Sequence, residues 1–395
     1  MTNQPTKSVT NIWIIIGLFL AVFVTGVDSF IISPLLPALG HYFDASIPQV
    51  SLGVTIYAIC YALGCLFWGP LGDRFPKKKL ITIGMSIFLI GTFLCGFATG
   101  LATFYLFRAI AGIGASLLVP NIWAFIGAHF KGQQLGIVMG ITISALSLSI
   151  AIGVPIGTLI SQLVNWHMAF WGSGFLALVA FVVILVTIPS EAPIQTERVN
   201  YFANFIKVQR TPNAVASLLT TFLWMFGFYL VYTFLGTFLT NQYHFNTAAT
   251  GVIFIVYGLS NFAASFIGGF VNNRLGIMNS IRFNGLASVL IIVMIGGLGT
   301  KLAVLIPLLV LLALFQGLGV SALNTFIVNV APANRSSMMS FNNACLYLGL
   351  TVGSFTGGFT YASYGFNTLC LIAASGLMLA ILNTFRLRLK STETR

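Results

Sequence analysis

The feature that most limits the fold of this chain is the recurrence of apolar stretches of about 20 residues or more. An α-helix of that length crosses a hydrocarbon core of roughly 30 Å. Only 6% of the residues are charged, which excludes a soluble enzyme, because about a quarter of a soluble domain is charged. The sequence predicts twelve spans, over residues 12–36, 50–71, 80–98, 102–127, 136–160, 168–188, 214–240, 250–271, 283–299, 303–328, 339–361 and 367–385.

One polar linker, residues 189–213, divides these spans into two sets of six. It contains three prolines and five charged residues. The sequence therefore predicts an N-terminal six-helix bundle over 1–188 and a C-terminal six-helix bundle over 214–395. The predicted fold class is an all-α membrane protein with twelve transmembrane helices in two pseudo-symmetric six-helix bundles.

The positions of lysine and arginine predict the orientation, because short cytoplasmic loops collect these residues. With the N-terminus in the cytoplasm, all of the 18 basic residues except Lys301 and Arg108 lie on the cytoplasmic side. We therefore expect a multi-pass protein of the cell membrane with both termini in the cytoplasm. A nucleic-acid surface would need basic residues gathered on one solvated face, so no nucleic-acid partner is expected.

The two halves of the sequence repeat one another at an offset of 200 residues. Residues 69–74 (GPLGDR) recur as 269–274 (GFVNNR), and the spacing S-x3-G-x3-G of 149–157 recurs as G-x3-G-x3-G in 349–357. Because each half has six spans, both halves insert in the same sense. We expect them to be related by an axis along the membrane normal, as in one class of transporter.

Asp28 is the only acidic residue inside a predicted span, and Arg108 is the only basic one. A charge there costs at least ~2.5 kcal/mol on the insertion scale. From the helical rise, Asp28 lies about 24 Å from the cytoplasmic end of span one, and Arg108 lies about 9 Å from the outer end of span four. Both are therefore in the outer half of the membrane, where they can pair.

Two interpretations of this pair stay open from the residues alone. In the first, it is a permanent ion pair that fixes the packing of two helices. In the second, it is a proton-coupling site: burial disfavours an ionised carboxyl group and a nearby guanidinium favours it, so a change in their separation loads and unloads a proton.

The C-terminal half carries aromatic and amide side chains instead of charges, with Phe228 and Ala313 at the positions that match Asp28 and Arg108. Aromatic residues in helices often face lipid or pack in the core, so only some of these are expected to line a substrate cavity. The candidates are Trp224, Tyr229, Tyr232, Tyr257, Asn261, Gln316, Asn324, Asn343 and Tyr347.

Several motifs resemble those of the major facilitator superfamily. Residues 69–79 are similar to its loop signature between helices two and three, with Pro76 where the family usually has glycine. Arg108 followed by Gly112 resembles its fourth-helix motif, and residues 153–157 (GVPIG) resemble its fifth-helix antiporter motif. A proline within that helix removes a backbone hydrogen bond and favours a bend.

Further motifs resemble one group within that superfamily. Asp28 followed by Leu36 and Pro37 is similar to the first-helix pattern of the twelve-span drug:proton antiporters, and residues 331–353 resemble the sugar and drug efflux branch. The resemblance implies proton coupling by Asp28 and Arg108. It also implies a role in the conformational change for Gly69, Asp73, Arg74, Lys78, Gly153, Pro155 and Gly157.

The resemblance implies a secondary active transporter that exports small drug-like, lipophilic or sugar-like molecules by alternating access, in exchange for protons. The expected partners are the substrate, protons and the lipid bilayer, and we expect a monomer. The sequence has no phosphate-binding G-x4-G-K-[ST] stretch, and we expect no cofactor, no metal and no enzyme activity. The alternative is an uncoupled facilitator or a transport-deficient sensor of the same fold.

Overall fold

A computed structural model describes residues 5–71, 75–189, 210–330 and 335–387. The regular structure in these ranges is helical. The helices are α1 (Pro5–Phe30), α2 (Ile32–Tyr42), α3 (Ile47–Leu71), α4 (Lys77–Cys95), α5 (Leu101–His129), α6 (Gly132–Leu148), α7 (Val154–Leu163), α8 (Trp166–Thr187), α9 (Ala214–Tyr243), α10 (Thr247–Leu275), α11 (Ile277–Leu298), α12 (Leu302–Val330) and α13 (Arg335–Thr384).

Within these described ranges, 11 stretches are long and apolar enough to cross a membrane. The last of them, Met338–Thr384, covers both predicted spans eleven and twelve. Gly365 breaks this stretch with a backbone φ of 76°, which a residue with a Cβ rarely adopts. The described part of the chain is therefore all-helical, with the helix lengths and composition of a multi-pass membrane protein.

The first predicted span differs from the structure at its end. It was expected to stop at Leu36, because a proline follows, but α2 continues through Pro37 to Tyr42. A proline has no N–H, so the carbonyl of Ser33, four residues earlier, lacks its helical donor. That carbonyl lies against Gly236 of α9, where a Cβ would overlap it.

The fifth predicted span is interrupted by a π-helical turn over Ser149–Gly153, between α6 and α7. Val154 donates its N–H to the carbonyl of Ser149, five residues earlier, and Pro155 follows in the first turn of α7. Small residues on this turn bring neighbouring helices close. A Cβ on Gly153 would overlap the Val27 side chain of α1, and a Cβ on Gly258 of α10 would overlap the backbone of Ala151.

Most helices before residue 190 pack on one another, and so do most helices after residue 209, but α3 also packs extensively on α13 and α2 packs on α9. Among the former, α1 packs on α6 and α8, and α4 packs on α5 and α8. Among the latter, α9 packs on α13, and α12 packs on α10 and α11. Below, α1–α8 are called the N-terminal helices and α9–α13 the C-terminal helices.

Contacts between the N-terminal and C-terminal helices begin at one end of the molecule. This end is formed by the turns after Tyr42, Cys95, Leu163, Tyr243 and Leu298, and is called the Tyr42 end. There the N–H of Thr247 donates to Gln162 Oε1 at 3.2 Å. Deeper contacts join Thr55 to Ser354 and, near the middle of the helices, Ser147 to Asn261.

Candidate functional site

The structure places Asp28 of α1 and Arg108 of α5 in contact, as their depths in the sequence predict. Arg108 Nη1 donates to Asp28 Oδ2 at 2.6 Å, and both side chains are fully buried. A buried pair of this kind is costly to break, because loss of either partner leaves the other without compensation in an apolar medium.

Three further groups hold the pair in place. Thr92 of α4 donates its hydroxyl to Asp28 Oδ1 at 3.2 Å. Arg108 Nε donates to the carbonyl of Gly53 at 3.3 Å, and the guanidinium carbon lies 4.2 Å from the centre of the Tyr57 ring. The second terminal nitrogen, Nη2, has no hydrogen-bond partner among the described residues. The site therefore fixes the carboxylate fully and the guanidinium only in part.

Tyrosines connect this charge pair to the C-terminal helices. Ser29, next to Asp28, donates its hydroxyl to the Tyr57 hydroxyl at 3.1 Å. The Tyr57 ring neighbours Tyr347 of α13, which stacks on Tyr61 with ring centroids 3.5 Å apart. Tyr57 and Thr92 were not among the residues selected from the sequence. Nothing in the sequence distinguishes them, because their role depends on which face of α3 and α4 meets the charge pair.

Four of the cavity candidates are close together in the C-terminal helices. Trp224 Nε1 donates to Gln316 Oε1 at 2.8 Å, and both residues are buried. Gln316, Tyr232 and Tyr257 line one small cavity. Trp224 is not a lining residue, and instead it holds the Gln316 amide in one orientation.

The other cavity candidates are more widely spread. Tyr229 of α9 stacks against Phe30 of α1, and Tyr347 stacks on Tyr61, so both lie where the two sets of helices meet. Asn261 accepts a hydrogen bond from Ser147 and donates to the carbonyl of Ala313. Asn324 and Asn343 are partly exposed on α12 and α13.

The residues expected to serve the conformational change fall into two groups. Asp73 and Arg74 lie outside the described residues, between Gly69 in the last turn of α3 and the partly exposed Lys78 in the first turn of α4. Gly153, Pro155 and Gly157 lie at the π-helical turn and in α7, where a Cβ on Gly157 would overlap the Ile31 side chain.

Among the described residues, no group of three or more histidine, cysteine, aspartate or glutamate side chains is placed to hold a metal ion.

Comparison with known proteins gives a consistent result. Residues 18–301 match the sequence profile of the Major Facilitator Superfamily. The chain is 30% identical over 378 residues to the uncharacterized MFS-type transporter YwfA of Bacillus subtilis (strain 168), covering 94% of this chain and 90% of YwfA. It is 31% identical over 360 residues to the uncharacterized MFS-type transporter YceJ of the same organism, covering 89% and 90% of the two chains.

A solved structure shows the same fold. The crystal structure of the human organic anion transporter MFSD10 (TETRAN) superposes with a TM-score of 0.76, covering 94% of this chain and 99% of that one, at 16% sequence identity.

Proposed function

Because the chain belongs to the major facilitator superfamily of membrane transporters, we propose that it is a proton-coupled exporter of small molecules that works by alternating access. One observation carries this proposal. The only carboxylate in any predicted span, Asp28, is buried against a guanidinium that does not release its proton in practice. Asp28 is therefore the group that takes up a proton at this site.

The energetics of the pair suggest how a proton drives movement. With Asp28 ionised, the pair is neutral and stable in an apolar setting. When Asp28 takes up a proton, Arg108 becomes a buried cation without a counter-charge, which is strongly unfavourable. The helices that carry the two residues then favour an arrangement in which the guanidinium reaches water or another partner. Protonation is thus converted into a preference for one conformation.

The helix contacts support a movement of two units. We infer that residues 1–188 and 214–395 are two six-helix bundles, joined by the 189–213 linker, that rock against each other. Their contacts described above run from the Tyr42 end to the level of Asn261. With both termini in the cytoplasm, the Tyr42 end faces outward, so this conformation is closed to the outside.

The proposal is tested by transport in vesicles that contain the purified protein, under an imposed pH gradient. Lipophilic cations, sugars and nucleosides are screened as substrates, and we expect at least one to accumulate only when the gradient is present. The variant that carries both Asp28→Asn and Arg108→Gln should lose this accumulation, whereas Asp44→Asn, in an exposed turn, should keep it.

Two outcomes would contradict proton coupling. Substrate movement that ignores the pH gradient indicates an uncoupled facilitator. Accumulation by the double variant when driven by pH alone means that Asp28 is not the coupling site.

The orientation is tested separately with topology reporters. We expect fusions truncated after Arg210 and after Tyr243 to give opposite signals, because α9 lies between these two positions and has the length of a full span. A reporter after Arg210 should be cytoplasmic, like the termini. The same sidedness at both positions would contradict the proposed orientation.

A further inference from the structure

A small cavity lies among the C-terminal helices α9, α10, α11 and α12, separate from the Asp28–Arg108 pair. Its walls are mostly apolar and include Leu235, Ile292 and Leu312. Three polar side chains also line it, those of Tyr232, Tyr257 and Gln316, and their exposed fractions are 4%, 2% and 1%. In this conformation the cavity has room for about one water-sized group, and it combines an apolar wall with a few buried polar groups.

These polar groups lack partners. In the part of the chain that the structure describes, the Tyr232 hydroxyl, the Tyr257 hydroxyl and Gln316 Nε2 have no hydrogen-bond partner. The orientation of the Gln316 amide is determined by Trp224, which donates to its oxygen and leaves the nitrogen free. Buried polar groups are nearly always hydrogen-bonded, so three exceptions on one cavity require an explanation.

The chemistry of the three groups limits what binds there. An amide nitrogen only donates, and a tyrosine hydroxyl donates or accepts. None of the described residues lining the cavity is charged, and an ion without a partner is strongly disfavoured in such a place. We propose that this cavity binds the polar end of an uncharged substrate that carries a hydroxyl or carbonyl oxygen on an apolar body.

The position of the cavity links it to the proton site. The Tyr232 ring meets the Phe30 ring edge-on with centroids 5.2 Å apart, and the Tyr232 carbonyl accepts a hydrogen bond from Ser33 at 2.6 Å. Phe30 is the last residue of α1, which carries Asp28, and Ser33 lies in the first turn of α2, which follows directly. A ligand that displaces Tyr232 therefore acts on the segment that carries the carboxylate. Only the identification of this ligand as the exported substrate depends on the proposed function.

The charge class of the ligand is tested with three probes that share one aromatic body: para-fluorobenzyl alcohol, para-fluorobenzylammonium and para-fluorobenzoate. Each is titrated against the purified protein in lipid nanodiscs, and binding is measured by fluorine NMR with empty nanodiscs as the blank. We expect the alcohol to bind at least about tenfold more tightly than either ion, because neither ion finds a counter-charge in the cavity. Tighter binding of the ammonium or of the carboxylate would overturn the proposal.

The site is tested with variants that remove one hydroxyl each. Tyr232→Phe and Tyr257→Phe should each weaken binding of the alcohol about five- to tenfold, through loss of a buried hydrogen bond. Their melting temperatures should stay the same or rise, because each change removes an unpartnered buried hydroxyl. Tyr361→Phe is the matched control, since that hydroxyl accepts a hydrogen bond from Asn241 at the Tyr42 end and does not line the cavity.

Unchanged alcohol affinity in both phenylalanine variants would overturn the inference, as would a loss of stability without a loss of affinity.

The binding-site proposal and the exporter proposal fail in different ways. Binding of the alcohol as expected, with no transport driven by a pH gradient, supports the site and contradicts the exporter. Proton-driven transport with no binding of the alcohol contradicts the proposed binding site and leaves the exporter proposal standing.

Discussion

Asp28→Asn is expected to destabilise the protein by about 3–5 kcal/mol, the usual effect of removing one partner of a buried ion pair. Arg108→Gln should have a smaller effect, about 1–3 kcal/mol. The difference arises because Arg108 cannot become neutral, whereas a carboxyl group left without its partner can take up a proton. The measurement is unfolding in detergent micelles, with both single variants and the double variant forming a double-mutant cycle.

The double variant should be more stable than Asp28→Asn alone, because it removes the uncompensated cation. Asp44→Asn is the matched control. Asp44 is an exposed carboxylate with a backbone φ of 47°, which asparagine also tolerates, so its stability should be unchanged. If Asp28→Asn proves no more harmful than Arg108→Gln, the pair is not buried as the structure shows it.

Gly258→Ala is expected to shift the protein away from the conformation described here. An added Cβ at this position would overlap the backbone of Ala151 in the π-helical turn, and backbone cannot rotate away as a side chain can. Overpacking of this kind costs typically about 1–3 kcal/mol, which corresponds to roughly a five- to 150-fold change in the population ratio of two states. The contact between α10 and the turn should therefore open.

The shift is measured by EPR distances between spin labels at Thr99 and Lys301, two exposed positions in turns at the Tyr42 end, after replacement of the native cysteines. A population with a longer distance should grow in Gly258→Ala. Gly297→Ala is the control, because no atom lies within 4 Å of an added Cβ there. An unchanged distance distribution in Gly258→Ala, together with lower thermal stability, would show that this contact does not separate during the cycle.

The axial positions of residues in this fold could be predicted from the sequence. Each helix crosses the membrane in a known direction, so counting residues gives depth, and this places Asp28 level with Arg108. Apolar run length likewise predicts the spans, including the interruption that the structure places at Gly365. These properties depend on one helix at a time.

Properties that depend on how helices are rotated against each other could not be predicted. Tyr57 is one of 12 tyrosines, and its place beside the guanidinium follows from the face that α3 turns toward α5. Among the cavity candidates, Tyr232, Tyr257 and Gln316 share one cavity while Asn324 and Asn343 lie elsewhere. In the sequence, nothing distinguished the candidates that line the cavity from those that do not. The end of the first span was also missed, because a proline within α2 is tolerated where Gly236 leaves room for the released carbonyl.

The single carboxylate among the predicted spans also sets a ceiling on the concentration ratio that the proposed exporter can reach. One proton exchanged per substrate molecule gives at most about a tenfold ratio for each unit of pH difference. If the substrate is uncharged, each cycle also moves one charge, worth ~2.3 kcal/mol per 100 mV, or roughly 50-fold. A monovalent cation gains nothing from the potential, because its exchange for a proton moves no net charge. Of these two kinds of substrate, the uncharged molecule therefore reaches the steeper gradient.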